Sequence, residues 1–190
     1  MREQEGDHAS ASDFDAFFTR YERSLYAYLL RLLQNEEVAV EIAQEAFFRA
    51  WSHFAEVQHY ERPQAWLYRV ATNLAISALR RRQPVPLSQF FDRRHMREDY
   101  DEPLETLDTV CVDALDLEGQ TAERDTIARI LRQLSKRERA ALLLRAVHGF
   151  SHEEVAETLG ISLANARQIL ARARQHFRRL YDAEQEHESA

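Results

Sequence analysis

Residues 152–170 read HEEVAETLGISLANARQIL, a spacing that predicts two short helices joined by a tight turn. Gly160 lies at the turn, where the backbone has to enter the left-handed region, and Ala156 is small where the two helices have to cross closely. The apolar seam between the two helices consists of Val155, Leu159, Ile161, Ala166 and Ile169. This segment is therefore predicted to be a helix-turn-helix.

The outward side of the predicted second helix carries side chains that suit duplex DNA. Arginine and glutamine form paired hydrogen bonds with guanine and adenine edges in the major groove, and arginines farther along a helix suit phosphate contacts. The candidate DNA-binding residues of this segment are Asn165, Arg167, Gln168, Arg172 and Arg174. Helical bundles that bind no DNA produce the same pattern, so a solvated basic face stays open as an alternative.

Charge is distributed unevenly along the chain. The 190 residues carry a net charge of −7, which by itself argues against nucleic acid as a partner. Residues 127–181 carry +7, however, whereas residues 83–126 carry −8 and residues 14–82 carry +1. Because a basic face is the electrostatic footprint of phosphate binding, the +7 segment supports the DNA-binding interpretation.

The regular structure of the chain is expected to be helical, without strands. Four Gly and four Pro among 190 residues provide few turn signals, and apolar residues recur at helical spacing up to the QPVP sequence at 83–86. We predict an all-α protein with two small helical domains, at residues 14–82 and 121–181. An acidic linker at residues 83–120 joins them, and the C-terminal domain contains the helix-turn-helix.

Three segments resemble parts of bacterial sigma factors. Residues 41–51, EIAQEAFFRAW, are similar to the helix with which sigma factors bind the polymerase clamp. Residues 65–82, AWLYRVATNLAISALRRR, are similar to the helix that engages the melted downstream promoter element. Residues 134–180 resemble the domain that binds the upstream element. In this order, the segments resemble the extracytoplasmic-function (ECF) sigma factors of the sigma-70 family.

The resemblance implies a promoter-specificity factor that is not an enzyme and has no cofactor. Its implied partners are the bacterial RNA polymerase core, promoter DNA and an anti-sigma factor. The matching polymerase-binding positions are Glu41, Gln44 and Glu45. The candidate downstream-element residues are Tyr60, Trp66, Arg69, Asn73 and Arg80. Aromatic and polar side chains suit this role because a melted strand needs a surface on which an unstacked base can rest. For Trp66, a place in the core is the alternative.

Other classes of protein fit the sequence less well. No apolar run reaches the ~18 residues of a membrane span, so we expect a cytoplasmic protein without membrane insertion. His148 and His152 are separated by a predicted helix break at Gly149, which argues against a shared zinc site. The competing interpretation is a helix-turn-helix transcription regulator whose N-terminal half is a sensory or dimerisation module.

Overall fold

The computed structural model describes residues 3–81 and 121–188, and these residues form helices and turns without any strand. The N-terminal module consists of α1 (Glu3–Leu33), α2 (Glu36–Ser52), α3 (Phe54–Val57) and α4 (Pro63–Arg81). The C-terminal module consists of α5 (Thr121–Gln133), α6 (Lys136–Leu142), α7 (His152–Leu159) and α8 (Leu163–Glu188). The all-α prediction is confirmed, and the predicted linker lies outside the described residues.

Helix boundaries follow local hydrogen bonding. Before α2, Gln34 adopts a positive φ of 55°, and the side chain of Asn35 accepts a hydrogen bond from the backbone N–H of Val38 at 2.9 Å. This bond satisfies one of the backbone donors that a helix start leaves without a partner. Apolar residues of α1, α2 and α4 then form the core of the N-terminal module: Leu25, Leu29, Leu32, Ala39, Ala46, Ala50, Leu67, Ala71 and Ala75.

The C-terminal module depends on two capping boxes. Ser135 and Glu138 exchange side-chain and backbone hydrogen bonds at the start of α6, and Ser151 and Glu154 do the same at the start of α7. Between these helices, α6 continues into a π-helical turn at Leu143–Val147. Reciprocal caps of this kind define where each short helix begins, because they satisfy two backbone donors at once.

The helix-turn-helix forms as the spacing predicts. Gly160 ends α7 in the left-handed conformation, with φ 63° and ψ 42°, and α8 begins three residues later. The seam residues Val155, Leu159, Ala166 and Ile169 are buried, and Ile161 is half-buried. Because the seam residues of α8 face inward, helical periodicity places the residues between them on the outward side.

The two modules are not separated in space. Buried residues of both modules form one continuous apolar core, in which the ring of Tyr68 from α4 lies 5.7 Å from the ring of Phe150, two residues before α7. The fold therefore places the helix-turn-helix directly against the N-terminal helices.

Candidate polymerase-binding and DNA-binding surfaces

The outer side of α2 carries the three predicted polymerase-binding residues. Glu41 and Gln44 are exposed, and the Glu45 side chain is 43% exposed. The Glu45 carboxylate pairs with Arg49 one turn later, at 2.7 Å. Exposed pairs at this spacing contribute only about 0.3–0.5 kcal/mol. Glu45 can therefore exchange this partner for a basic group on another protein at small cost.

Phe48 lies on the same side of α2 and was not among the predicted site residues. Its side chain is 65% exposed, whereas its neighbour Phe47 is 7% exposed and belongs to the core. Together with Glu41, Ile42, Gln44, Glu45, Arg49 and Leu74 it lines a shallow open groove. The sequence could have identified Phe48 as part of this surface, because positions 41, 44, 45 and 48 share one face at helical spacing.

The residues predicted to contact the downstream element lie on and just before α4 in different environments. Tyr60 is 44% exposed and Asn73 is exposed. Trp66 is half-buried and packs against the core, with its ring 5.9 Å from that of His53. Arg69 is exposed, but its guanidinium pairs with Glu157 of α7. Arg80 lies in α4, and its side chain is outside the described residues.

The predicted upstream-element residues line the first half of α8. The Arg167 side chain is 60% exposed, and its guanidinium lies 3.9 Å from the Glu153 carboxylate. Asn165, Gln168 and Arg172 are half-exposed. Because Ser162 caps the helix through the backbone N–H of Asn165 at 3.2 Å, all four lie within the first three turns.

Arg174 does not lie on the outward side of α8, where the sequence predicted it. Its side chain is only 2% exposed, in line with the buried residues Leu170, Ala173 and Phe177. The buried face of α8 is therefore wider than the seam alone. Arg174 lies on this buried face and not on the side that was predicted to face DNA. Arg178, one turn later, is exposed and offers a cation in its place.

Two histidines near α7 have perturbed acidities. Burial and the nearby positive charge of Arg31 lower the pKa of His148 to about 4. Burial, followed by the charges of Arg145, Arg174 and Arg167, lowers the pKa of His152. Both imidazoles are therefore neutral at pH 7. No group of three potential metal-binding side chains occurs within the part of the chain that the structure describes.

Each of the two modules matches a protein-family model. The model for sigma-70 region 2 matches residues 17–85, and the model for sigma-70 region 4 matches residues 124–177. The chain belongs to the sigma-70 family of RNA polymerase sigma factors, within its extracytoplasmic-function group. Among the described helices, none is long and apolar enough to cross a membrane.

Several curated proteins are similar over most of this chain. The ECF RNA polymerase sigma factor SigG of Mycobacterium tuberculosis is 32% identical over 178 residues, which cover 85% of this chain and 47% of SigG. The ECF RNA polymerase sigma factor SigE of Mycolicibacterium smegmatis is 30% identical, covering 91% of this chain and 63% of SigE. The chain thus spans about half to two thirds of the length of these relatives.

In two further matches, the alignment covers most of the length of the similar protein. RNA polymerase sigma factor YlaC of Bacillus subtilis is 27% identical over 158 residues, covering 83% of this chain and 85% of YlaC. The sigma factor RpoE of Bartonella quintana, solved in complex with the anti-sigma factor NepR, has a TM-score of 0.64 at 20% identity. The alignment covers 90% of this chain and 97% of RpoE, and shows that the fold is shared.

Proposed function

We propose that this protein is a sigma factor that directs promoter-specific initiation by RNA polymerase. In this role it binds core polymerase, melts the downstream promoter element and reads the upstream element. The observation that carries the proposal is the presence, in one chain and in family order, of a region 2 module and a region 4 helix-turn-helix. A sensory or dimerisation module in the N-terminal half is disfavoured by the region 2 match at residues 17–85.

The α2 surface is the proposed contact with polymerase. Glu41, Gln44 and Glu45 offer acidic and amide groups to a basic partner surface, and Phe48 adds an exposed aromatic ring at the same site. Aromatic anchors surrounded by polar groups are a common arrangement in protein interfaces. The opposite side of α2 is core, so changes on the outer side leave the fold intact.

The two DNA contacts are assigned to different helices. The proposed downstream contact consists of Tyr60, Trp66, Arg69, Asn73 and Arg80, where aromatic rings can stack on unpaired bases. The proposed upstream contact is the first half of α8, from which Arg167 and Gln168 reach base edges. Asn165 and Arg172 flank them, while Arg178 suits the phosphate backbone.

The remaining assignments follow from the family. We propose that the protein acts in the cytoplasm, catalyses no reaction, and is held inactive by an anti-sigma factor under some conditions. The Bartonella protein that shares its fold was solved with such a factor. Co-purification of the tagged chain from its own host, followed by identification of the bound proteins, would test this partner.

The function is tested by adding the purified chain to bacterial core polymerase and sequencing transcripts from genomic fragments. We expect initiation at a defined set of promoters that core polymerase alone does not use. Glu45→Lys should weaken core binding because it replaces a carboxylate with a cation on the proposed contact face. The exposed Glu22 of α1, changed to Lys, supplies the charge-matched control. Specific binding of duplex promoter DNA by the chain alone, as a symmetric dimer, would instead indicate a regulator.

A further inference from the structure

The end of α2 brings a histidine beside one of the proposed downstream-element residues. His53 follows directly after α2 and is exposed. Its imidazole ring lies 5.9 Å from the ring of Trp66, and the two ring planes are inclined by 40°. Trp66 is half-buried, so part of its ring remains accessible to a ligand. The two rings therefore form neighbouring walls of one surface site.

Two hydrogen bonds hold this imidazole in place. Nδ1 of His53 lies 3.0 Å from the backbone carbonyl oxygen of Arg49, and the backbone N–H of His53 donates to the same oxygen at 3.1 Å. The last carbonyls of a helix need donors from outside the helix, and His53 supplies them here from its main chain and its side chain. Because the ring is already tied to the last turn of α2, little ordering is needed when a ligand binds.

The bond to Arg49 also determines which ring nitrogen carries the proton. A carbonyl oxygen only accepts, so Nδ1 is the protonated nitrogen of the neutral ring and Nε2 keeps a free lone pair. Within residues 3–81 and 121–188, no hydrogen bond joins Nε2 of His53 to another group. His53 therefore presents a fixed hydrogen-bond acceptor beside the Trp66 ring.

The other polar side chains of this surface differ from His53 in what they can offer a base. Arg69 and Asn73 lie about one and two turns after Trp66 on α4, and both are exposed. The guanidinium of Arg69 can only donate hydrogen bonds, and the amide of Asn73 can donate or accept. Nε2 of the neutral His53 ring can only accept. It is therefore suited to a group on the base that can only donate.

We propose that His53 selects a base with an exocyclic amino group, adenine or cytosine, at the position of the melted downstream element that stacks on Trp66. The proposal rests on the function proposed above. Unpaired bases of any sequence stack on aromatic rings, so Trp66 alone provides affinity without specificity. Adenine and cytosine carry an amino donor where guanine and thymine carry a carbonyl acceptor. Nε2 of His53 accepts from the amino group and meets only lone pairs on the carbonyl.

This site is separate from the proposed polymerase contact. His53 lies eight residues after Glu45, which corresponds to about 12 Å along the axis of α2. The side chain of Arg49, between them, pairs with Glu45 and not with the imidazole. Changes at His53 should therefore alter base preference and leave the binding of core polymerase unchanged.

Exchange of a single functional group in the DNA tests the proposal. Promoters found by transcript sequencing supply the downstream element, which is built into templates with a premelted bubble. In the nontemplate strand, each adenine is replaced in turn with hypoxanthine and each cytosine with uracil. Both replacements exchange the amino group for a carbonyl and add a proton to the adjacent ring nitrogen. At one position, we expect this exchange to weaken binding of the wild-type holoenzyme about five- to thirtyfold.

Variants of the chain assign this loss to His53. His53→Ala removes the acceptor, so its holoenzyme should bind the original and the exchanged template equally well at that position. His53→Lys introduces an ammonium that only donates, and it should therefore prefer the carbonyl base there. His59→Ala removes another exposed histidine before α4 and should keep the wild-type preference. All three variants should bind core polymerase as the wild type does.

The possible results separate the two proposals. The role of His53 is wrong, and the proposed function stands, if no exchange weakens binding of the wild type or if His53→Ala keeps the wild-type preference. It is also wrong if His59→Ala removes the preference equally. Each preference is a ratio between two templates for one variant, so a partial loss of folded protein does not change it. If the unmodified chain supports no initiation with core polymerase, the proposed function fails and the role of His53 falls as well.

Discussion

Replacing Phe48 with alanine should weaken polymerase binding without weakening the fold. The side chain is 65% exposed, and the large aromatic residues bury about 150–250 Å² when fully covered. A partner that covers the exposed part would remove roughly 130 Å² from water, of which alanine would retain a small share. At about 25 cal/mol per Å², the loss is about 2–3 kcal/mol, or roughly a 30- to 150-fold higher Kd.

The adjacent phenylalanine is the matched contrast. Phe47 is 7% exposed within the core, so Phe47→Ala should lower the free energy of unfolding by about 3–5 kcal/mol. Phe48→Ala should change it by no more than about 0.5 kcal/mol, as is usual for surface positions. Leu30→Ala, which truncates an exposed apolar side chain of α1, controls for nonspecific loss of apolar surface.

The assay uses the single cysteine of the chain. A dye on Cys111 reports binding by fluorescence anisotropy as core polymerase is titrated, and urea denaturation reports stability in parallel. Equal Kd values for Phe48→Ala and the wild type would refute the assignment of the α2 face. An equal loss of stability in the Phe47 and Phe48 variants would refute the exposure on which the calculation depends.

Two further outcomes follow from charged groups of the C-terminal module. Arg167→Ala should cost about 1–3 kcal/mol and relax preference at one base position, because its exposed guanidinium suits a guanine edge, whereas Arg178→Ala should weaken binding to all sequences alike. Competition binding of polymerase holoenzyme to randomised upstream elements measures both, and a reversed pattern would show that α8 sits differently in the groove. The pKa of His148 is lowered to about 4 by burial and by Arg31, from the ordinary value near 6.5. The folded form is therefore fully favoured above pH 6.5 and loses stability as the pH falls towards 4, by about 2 kcal/mol at pH 5. Urea denaturation at several pH values across this range measures the effect. A profile that His148→Phe leaves unchanged would assign the pH dependence to other groups.

Local signals in the sequence determined the helices and the helix-turn-helix. Asn35, Ser135 and Ser151 each cap a helix through hydrogen bonds to residues three positions away, and Gly160 supplies the left-handed turn. These interactions span a few residues, so the order of amino acids is enough to predict them. The seam of the motif follows for the same reason, since helical periodicity places its residues on one side.

Only the tertiary structure decided which side chains are available for binding. Arg174 and Arg178 look alike in the sequence, yet the first is buried because the covered stripe of α8 is wider than the seam. Arg69 pairs with a carboxylate 88 residues away, and no local pattern encodes that partner. Contacts between modules depend on how two complete surfaces fit together. Helical spacing can show which face of a helix a residue shares, but not what covers that face.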